Sequence, residues 1–245
     1  MFYFEEIQGK KILKSDMLNG LMHCFTTRET VIRGNNSAVN QNKKLICKYF
    51  ETEPENLISP TQTHSTNVMI AENGKTDYPD TDAIVLTNKN QAVYLNFADC
   101  TPIILYNEIL NIGAVVHAGW RGTAGSIVKK TVKFMTEKFN SRPENILSAI
   151  GPAIGQCCYC VDKDVADKLS KTIDDFSGTH KFVNDKIYID LKEINHQQLL
   201  ACGVKKIDLC NYCTSCANEL FFSYRKENSA DNILLNRHSA IIKLK

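Results

Sequence analysis

The stretch 97-FADCTPIILYNEILNIGAVVHAGWRGT-123 decides how this chain is read. Two apolar runs, Pro102 to Tyr106 and Ile112 to Val116, are separated by only a short polar-tipped loop. Such runs are too short for helices and read as neighbouring strands. An Asp-Cys pair, Asp99-Cys100, stands just before the first run, and His117 ends the second. A glycine-flanked Arg121 then opens an amphipathic segment. The stretch thus predicts a thiol and an imidazole at the ends of adjacent strands, with a helix start close behind.

The same pairing of short runs recurs on both sides. Met1 to Ile12 reads as a strand or hairpin, and 23-HCFTTR-28 as a short strand leading into a polar loop with turn formers Gly34, Asn35 and Asn36. Lys43 to Phe50 has helical spacing. Leu57 to Ser59, Asn67 to Ala71 and Ala83 to Thr87 read as strands, the last bordered by Asp80 and Asp82 and joined hairpin-fashion through Asn88 to Gln91 to Ala92–Phe97. Gly122 to Phe139 is the clearest helix, with Ile127, Val128, Val132, Met135 and Phe139 as its apolar stripe. A strand from Asn145 to Ile150, a helix from Asp162 to Ile173 and a strand from Lys186 to Ile189 follow. A helix from Leu191 to Cys202, a strand from Val204 to Leu209, a polar Asn/Ser/Asp loop after 221-FFSYRKE-227 and a final strand from His238 to Leu244 complete the chain. Strands outnumber helices and come in adjacent pairs without regular alternation. That pattern predicts an α+β fold with mixed sheets covered by helices, in one domain spanning 1–245.

Composition narrows the function. The 245 residues are 43% hydrophobic and 23% charged, ordinary for a globular protein, and the net charge is +2. Without a basic stripe, a nucleic-acid partner is not expected. No apolar run reaches the length of about 20 residues that spans a bilayer. Two acids stand where a signal peptide would carry basic residues, so the expected location is cytoplasmic and the ten cysteines are expected to be thiols.

Catalytic zinc commonly takes three protein ligands and keeps a fourth position open. His64, Cys100 and His117 fit that requirement, although their spacing matches no short zinc-finger pattern and core packing or a satisfied polar group is the plainer explanation of each one alone; what favours a site is that all three lie at strand ends or in adjoining loops. Asp99 could orient a ligand or hold a substrate hydroxyl, or be a strand-end turn acid. Arg121 with the following amides could hold an anion at a helix start, or lie on the surface. Gln62 and Thr63 could contact substrate or cap their loop. A second group, Cys210-x-x-Cys213-x-x-Cys216, has spacing open to zinc or an iron–sulfur cluster, yet lacks the fourth Cys followed by Pro of bacterial cluster runs. Cys157, Cys158 and Cys160 lie close together as well, and Cys213 is a further candidate to line the main site.

Taken together, 62-QTHS-65, 98-ADCTP-102, 117-HAGWRGT-123, 151-GPAIG-155 with Cys158-Tyr159, Cys213-Thr214 and 221-FFSYR-225 resemble one family. It is the family of purine nucleoside phosphorylases formerly described as laccase-domain or polyphenol oxidase proteins. The resemblance runs from Phe25 to the C-terminus. It implies a layered α/β/β/α sandwich and a zinc enzyme that cleaves adenosine, inosine, guanosine and methylthioadenosine with phosphate and deaminates adenosine. His64, Cys100 and His117 carry over as metal ligands. Asp99, Arg121 and Arg225 are the substrate-binding candidates beside them. The older oxidase description would need redox-active copper, and one Cys/His2 set lacks the multi-histidine clusters of a laccase.

Three departures stand out. Cys160 replaces a glutamate in the family's Cys-Tyr-Glu-Val. Leu235-Asn236-Arg237 replaces Thr-Gly-Arg, and the Gly-Gly expected after Thr-Thr-Arg is missing. Two other readings use the same residues: a metal-independent hydrolase or deamidase with Cys100 activated by His117, and a non-enzymatic thiol-rich metal binder centred on Cys210, Cys213 and Cys216.

Overall fold

The computed structural model describes residues 1–228 and 236–245, which form three sheets and six helices. The first sheet runs β1 (Phe2–Ile7), β2 (Lys10–Ser15), β3 (Met22–Thr26), β15 (His238–Lys243), β7 (Ala92–Phe97) and β4 (Leu57–Ile58). The second runs β14 (Lys206–Leu209), β10 (Ile146–Ile150), β8 (Thr101–Asn107), β9 (Ile112–Ala118), β6 (Ala83–Leu86) and β5 (Val68–Ala71). A small third sheet joins β11 (Cys160–Val161), β13 (Lys186–Ile189) and β12 (His180–Val183). The helices are α1 (Val39–Tyr49), α2 (Trp120–Ala124), α3 (Ile127–Phe139), α4 (Lys163–Ser170), α5 (Leu191–Ala201) and α6 (Tyr224–Glu227).

Alternation along the central strands builds the layers. In β8, Ile104 and Tyr106 point into one core with Leu95, Phe97 and Ile242 of the first sheet. Ile103 and Leu105 point the other way, onto Ile127, Val128, Val132 and Met135 of α3 and Leu199 of α5. On the far side of the first sheet, Cys24, Tyr94 and Ile241 meet Ile46, Cys47 and Phe50 at α1. The result is the expected α+β sandwich, helix layer on sheet on sheet on helix layer. Strands buried on both faces explain why β8 and β9 read as continuous apolar runs. No helix among the described residues is long and apolar enough to cross a membrane.

Several sequence expectations are corrected. β6 and β7 do not form a hairpin: they belong to different sheets, and residues 88–91 carry the chain across. Asn88 shapes that crossing, its Oδ1 accepting from the amides of Asn90 and Gln91 at 3.1 and 3.2 Å. The helix expected from Gly122 is two helices, interrupted at Ser126, whose φ is +57°. α1 begins four residues before Lys43, because its polar first turns are occupied. Asn42 is buried there, donating to the Val31 carbonyl at 2.9 Å and accepting from Lys10 Nζ at 2.7 Å. The polar loop predicted after FFSYRKE falls on 229–235, and it and Leu235 lie outside the described residues.

Candidate metal and anion site

β8 and β9 pair antiparallel with Pro102 opposite His117, so Cys100 and His117 arrive at the same end of the second sheet. β6 lies on the other side of β9 with Ala83 opposite Val116. One residue further out, Asp82 therefore faces His117. The His117 amide donates to the Asp82 carbonyl at 2.7 Å, and His117 Nδ1 lies 2.7 Å from Asp82 Oδ1. A carboxylate on Nδ1 means that nitrogen carries the proton and Nε2 is turned free toward Cys100.

Asp82 is fully buried, and it also folds the loop that carries the third residue. The amides of Thr63, His64 and Ser65 all donate to its carboxylate, at 3.2, 3.1 and 2.6 Å, and the Ser65 hydroxyl adds a contact at 2.8 Å. Three successive N–H groups around one anion hold His64 in the left-handed region, at φ +63°. Gln62 fastens the loop to β7 by two bonds with the Asn96 backbone, at 2.9 and 2.8 Å. Its side chain thus has a structural task. The outcome is that the donor atoms of His64, Cys100 and His117 all lie within 4.8 Å of one another, with His64 Nε2 3.8 Å from Cys100 Sγ. Gly119 makes room for them: a Cβ there would stand 2.8 Å from Cys100 Sγ and 3.0 Å from His64 Cδ2.

Charge follows the geometry. Burial would raise the Cys100 thiol, but the charge and hydrogen bond of His117, then those of His64, bring it down to about 6. Burial would lower His117, yet the Cys100 thiolate and the Asp82 hydrogen bond raise it to about 9. Asp82 is held at about 2 against its burial by His117 and Ser65. Without a metal this is an imidazolium–thiolate pair. A divalent cation would replace the imidazolium proton and find a thiolate and two imidazole nitrogens, the donor set of a three-protein-ligand zinc site with one position left over. The residues fit the metal.

Of the other three candidates, Asp99, the neighbour of Cys100 in the chain, meets Arg225, while Arg121 lines a groove of its own. Asp99, itself in the left-handed region at φ +83°, accepts from the Thr214 hydroxyl at 2.7 Å and from the Arg225 amide at 2.6 Å. It grips the start of α6. The Arg225 guanidinium donates to the Cys160 carbonyl at 2.9 Å and lies 5.2 Å from the Tyr159 ring. Arg121 is exposed, 4.3 Å over the Trp120 ring, and lines an open groove of about 620 Å³ with Lys129, Lys168 and Lys171. Tyr159 links these groups: burial, then Cys100 and Asp99, push its phenol up, while Arg225 and Arg121 pull it down. Arg237 is likewise within the field of Cys100 and Asp99.

In the sequence Asp82 carries no site role, and Tyr159 stands only within the string Cys158-Tyr159. Asp82 reads there as a strand-border acid, and only the β6–β9 register turns it toward His117. The triad Cys210, Cys213 and Cys216 is corrected: Cys210 is buried at the end of the second sheet, and the thiols that meet are Cys157, Cys158, Cys213 and Cys216. Cys213 belongs with those four, its Sγ accepting from the Gly155 amide at 3.1 Å.

A family model described as multi-copper polyphenol oxidoreductase laccase matches residues 26–244. The purine nucleoside phosphorylase YlmD of Geobacillus stearothermophilus is 33% identical over 210 residues, covering 80% of this chain and 77% of that protein. The purine nucleoside phosphorylase of Haemophilus influenzae is 35% identical over 79% of this chain and 78% of its own. Adenosine deaminase RL5, from an unknown prokaryotic organism, is 31% identical over 70% of each chain. The crystal structure of YlmD from Geobacillus stearothermophilus superposes with a TM-score of 0.87 at 28% identity, covering 99% and 98% of the two chains. The chain therefore belongs to the family whose model is described as multi-copper polyphenol oxidoreductase laccase, and whose matching relatives include proteins named purine nucleoside phosphorylase and adenosine deaminase.

Proposed function

We propose that this protein is a zinc-dependent purine nucleoside phosphorylase, converting adenosine, inosine, guanosine or methylthioadenosine with phosphate to the free base and a ribose 1-phosphate, and that it also hydrolyses adenosine to inosine and ammonia. The observation that carries the reading is the convergence of His64, Cys100 and His117 donor atoms within 4.8 Å, in a chain related to proteins of those names.

Cys100 would hold the metal as a thiolate, and His117 through the Nε2 that Asp82 leaves free. His64 would hold it through Nε2, from a loop fixed on the same carboxylate. When bound, zinc supplies Lewis acidity for a substrate oxygen or nitrogen and a lowered pKa for water. Arg121 and Arg225 provide fixed positive charge for phosphate as it displaces the base from the anomeric carbon. Both Asp99 oxygens are engaged by Thr214 and Arg225, so Asp99 acts by placing Arg225.

Cys100→Ala is expected to remove the zinc of the His64–Cys100–His117 group, phosphorolysis and deamination together, followed by chromatography of adenine and inosine with and without phosphate. Phosphorolysis by protein free of metal would overturn the scheme. Copper in place of zinc would appear in the same elemental analysis. A second reading, a metal-independent Cys-His hydrolase or deamidase, draws on the Cys100 thiol lowered to about 6 by its neighbours. It requires turnover that survives metal removal and is lost on Cys100 alkylation.

A further inference from the structure

Four sulfurs meet away from His64, Cys100 and His117. Cys157 and Cys158 follow the turn at Gly155, and Cys213 and Cys216 lie on the turn after β14. Cys157 Sγ and Cys158 Sγ each stand 3.5 Å from Cys216 Sγ, and all four sulfurs lie within 4.8 Å of one another. A tetrahedral zinc with bonds of about 2.3 Å needs sulfurs about 3.8 Å apart along each edge. A disulfide needs about 2.05 Å and joins two sulfurs only.

We infer that Cys157, Cys158, Cys213 and Cys216 form a second metal site, a closed tetrathiolate that takes zinc or another thiophilic divalent cation. Two of its ligands come from adjacent positions and two from a Cys-x-x-Cys turn, so the metal joins segments distant in sequence. The backbone has already brought them into register. Ala153 and Cys213 form a parallel bridge, the Thr214 amide donates to the Ala153 carbonyl at 3.0 Å, and the Ala217 amide to the Cys213 carbonyl at 2.8 Å. The Gly155 amide 3.1 Å from Cys213 Sγ is a donor that favours thiolate over thiol. Lys226, donating to the Ser215 carbonyl at 3.1 Å, puts an ammonium on the same turn to offset the negative charge of four thiolates.

The site's role is positional. Thr214, next to Cys213, donates to Asp99 beside Cys100, and Tyr159, next to Cys158, underlies Arg225. The tetrathiolate clasps both residues against the His64–Cys100–His117 group without supplying an open coordination position.

Metal content of the full-length protein, purified with zinc in the medium, tests this independently of the nucleoside chemistry. The expected content is about two zinc per chain in the wild type and about one in each of Cys100→Ala and Cys216→Ser. Cobalt exchanged into Cys100→Ala is expected to give the intense thiolate charge-transfer absorption of an S4 site. Cys216 is exposed, and the wild-type and Cys100→Ala arms leave the cluster untouched, so a folding defect in one variant does not decide the outcome. A single zinc that disappears in Cys100→Ala overturns the inference. So does Cys100→Ala protein without metal and lighter by two hydrogens, the mark of a disulfide among the four.

Discussion

Asp82, the residue before β6, and His117, on the antiparallel neighbour β9, are joined twice: backbone amide to carbonyl at 2.7 Å and imidazole Nδ1 to carboxylate at 2.7 Å. The same carboxylate accepts the amides of residues 63–65, so one buried acid orients a donor on β9 and a donor on the facing loop.

Asp82→Asn keeps the size of that side chain and removes its charge. Loss of the carboxylate behind a metal-binding histidine costs about 10–100-fold in affinity. Zinc competition against a chromophoric chelator should read that loss, with activity falling in parallel at limiting zinc. Unchanged affinity would place His117 outside the metal shell.

Gly119→Ala puts a methyl against Cys100 Sγ and His64 Cδ2. Overpacking of this kind costs about 1–3 kcal/mol, here borne by the donor geometry. Zinc affinity is expected to fall tenfold or more while the melting temperature moves little. A variant with wild-type affinity and a lowered melting temperature would show that the crowding is relieved elsewhere.

Cys100 reactivity should report its neighbours. In metal-stripped protein its alkylation rate is expected to follow a midpoint near pH 6, because His117 and His64 favour the thiolate against burial. Burial raises Cys24, Cys47, Cys202 and Cys210, which should remain slow. Zinc should protect Cys100 when present. An ordinary thiol midpoint, roughly 8.5, would deny the imidazolium–thiolate pair.

His23 supplies an acid limb to stability. It is 1% exposed; Nε2 accepts from the Ser15 amide at 3.0 Å, and Nδ1–H donates to the Leu21 carbonyl at 3.1 Å. That arrangement requires the neutral ring, and burial lowers its pKa to about 4 from 6.5. The unfolded chain therefore binds the extra proton first. The contribution is complete above pH 6.5 and is lost as the pH falls to about 4, amounting to about 3 kcal/mol. Urea unfolding of the wild type and His23→Gln across that range checks it: the variant, with no proton to take up, should show the shallower decline.

Much of this protein can be read from its sequence because burial writes itself into the pattern of residues. Apolar runs such as 103–106 and 112–116, interrupted by turn residues, fixed strands with both faces covered, and the period of 127–139 fixed a helix against them. The residue types of His64, Cys100 and His117 announced donors for a metal, and the surrounding strings announced the family. Local chemistry could not say which apolar run pairs with which. β6 and β7 are consecutive and alike, yet the chain crosses between sheets, and only packing of the whole selects that path. For the same reason Asp82 looked like a border acid until the register set it against His117. Cys157 and Cys158 had no visible tie to Cys213 and Cys216 across more than fifty residues. A side chain's chemistry is local and travels with its letter. Its partner is chosen by the fold, which brings together donors, carboxylate and thiols from segments that the chain keeps apart.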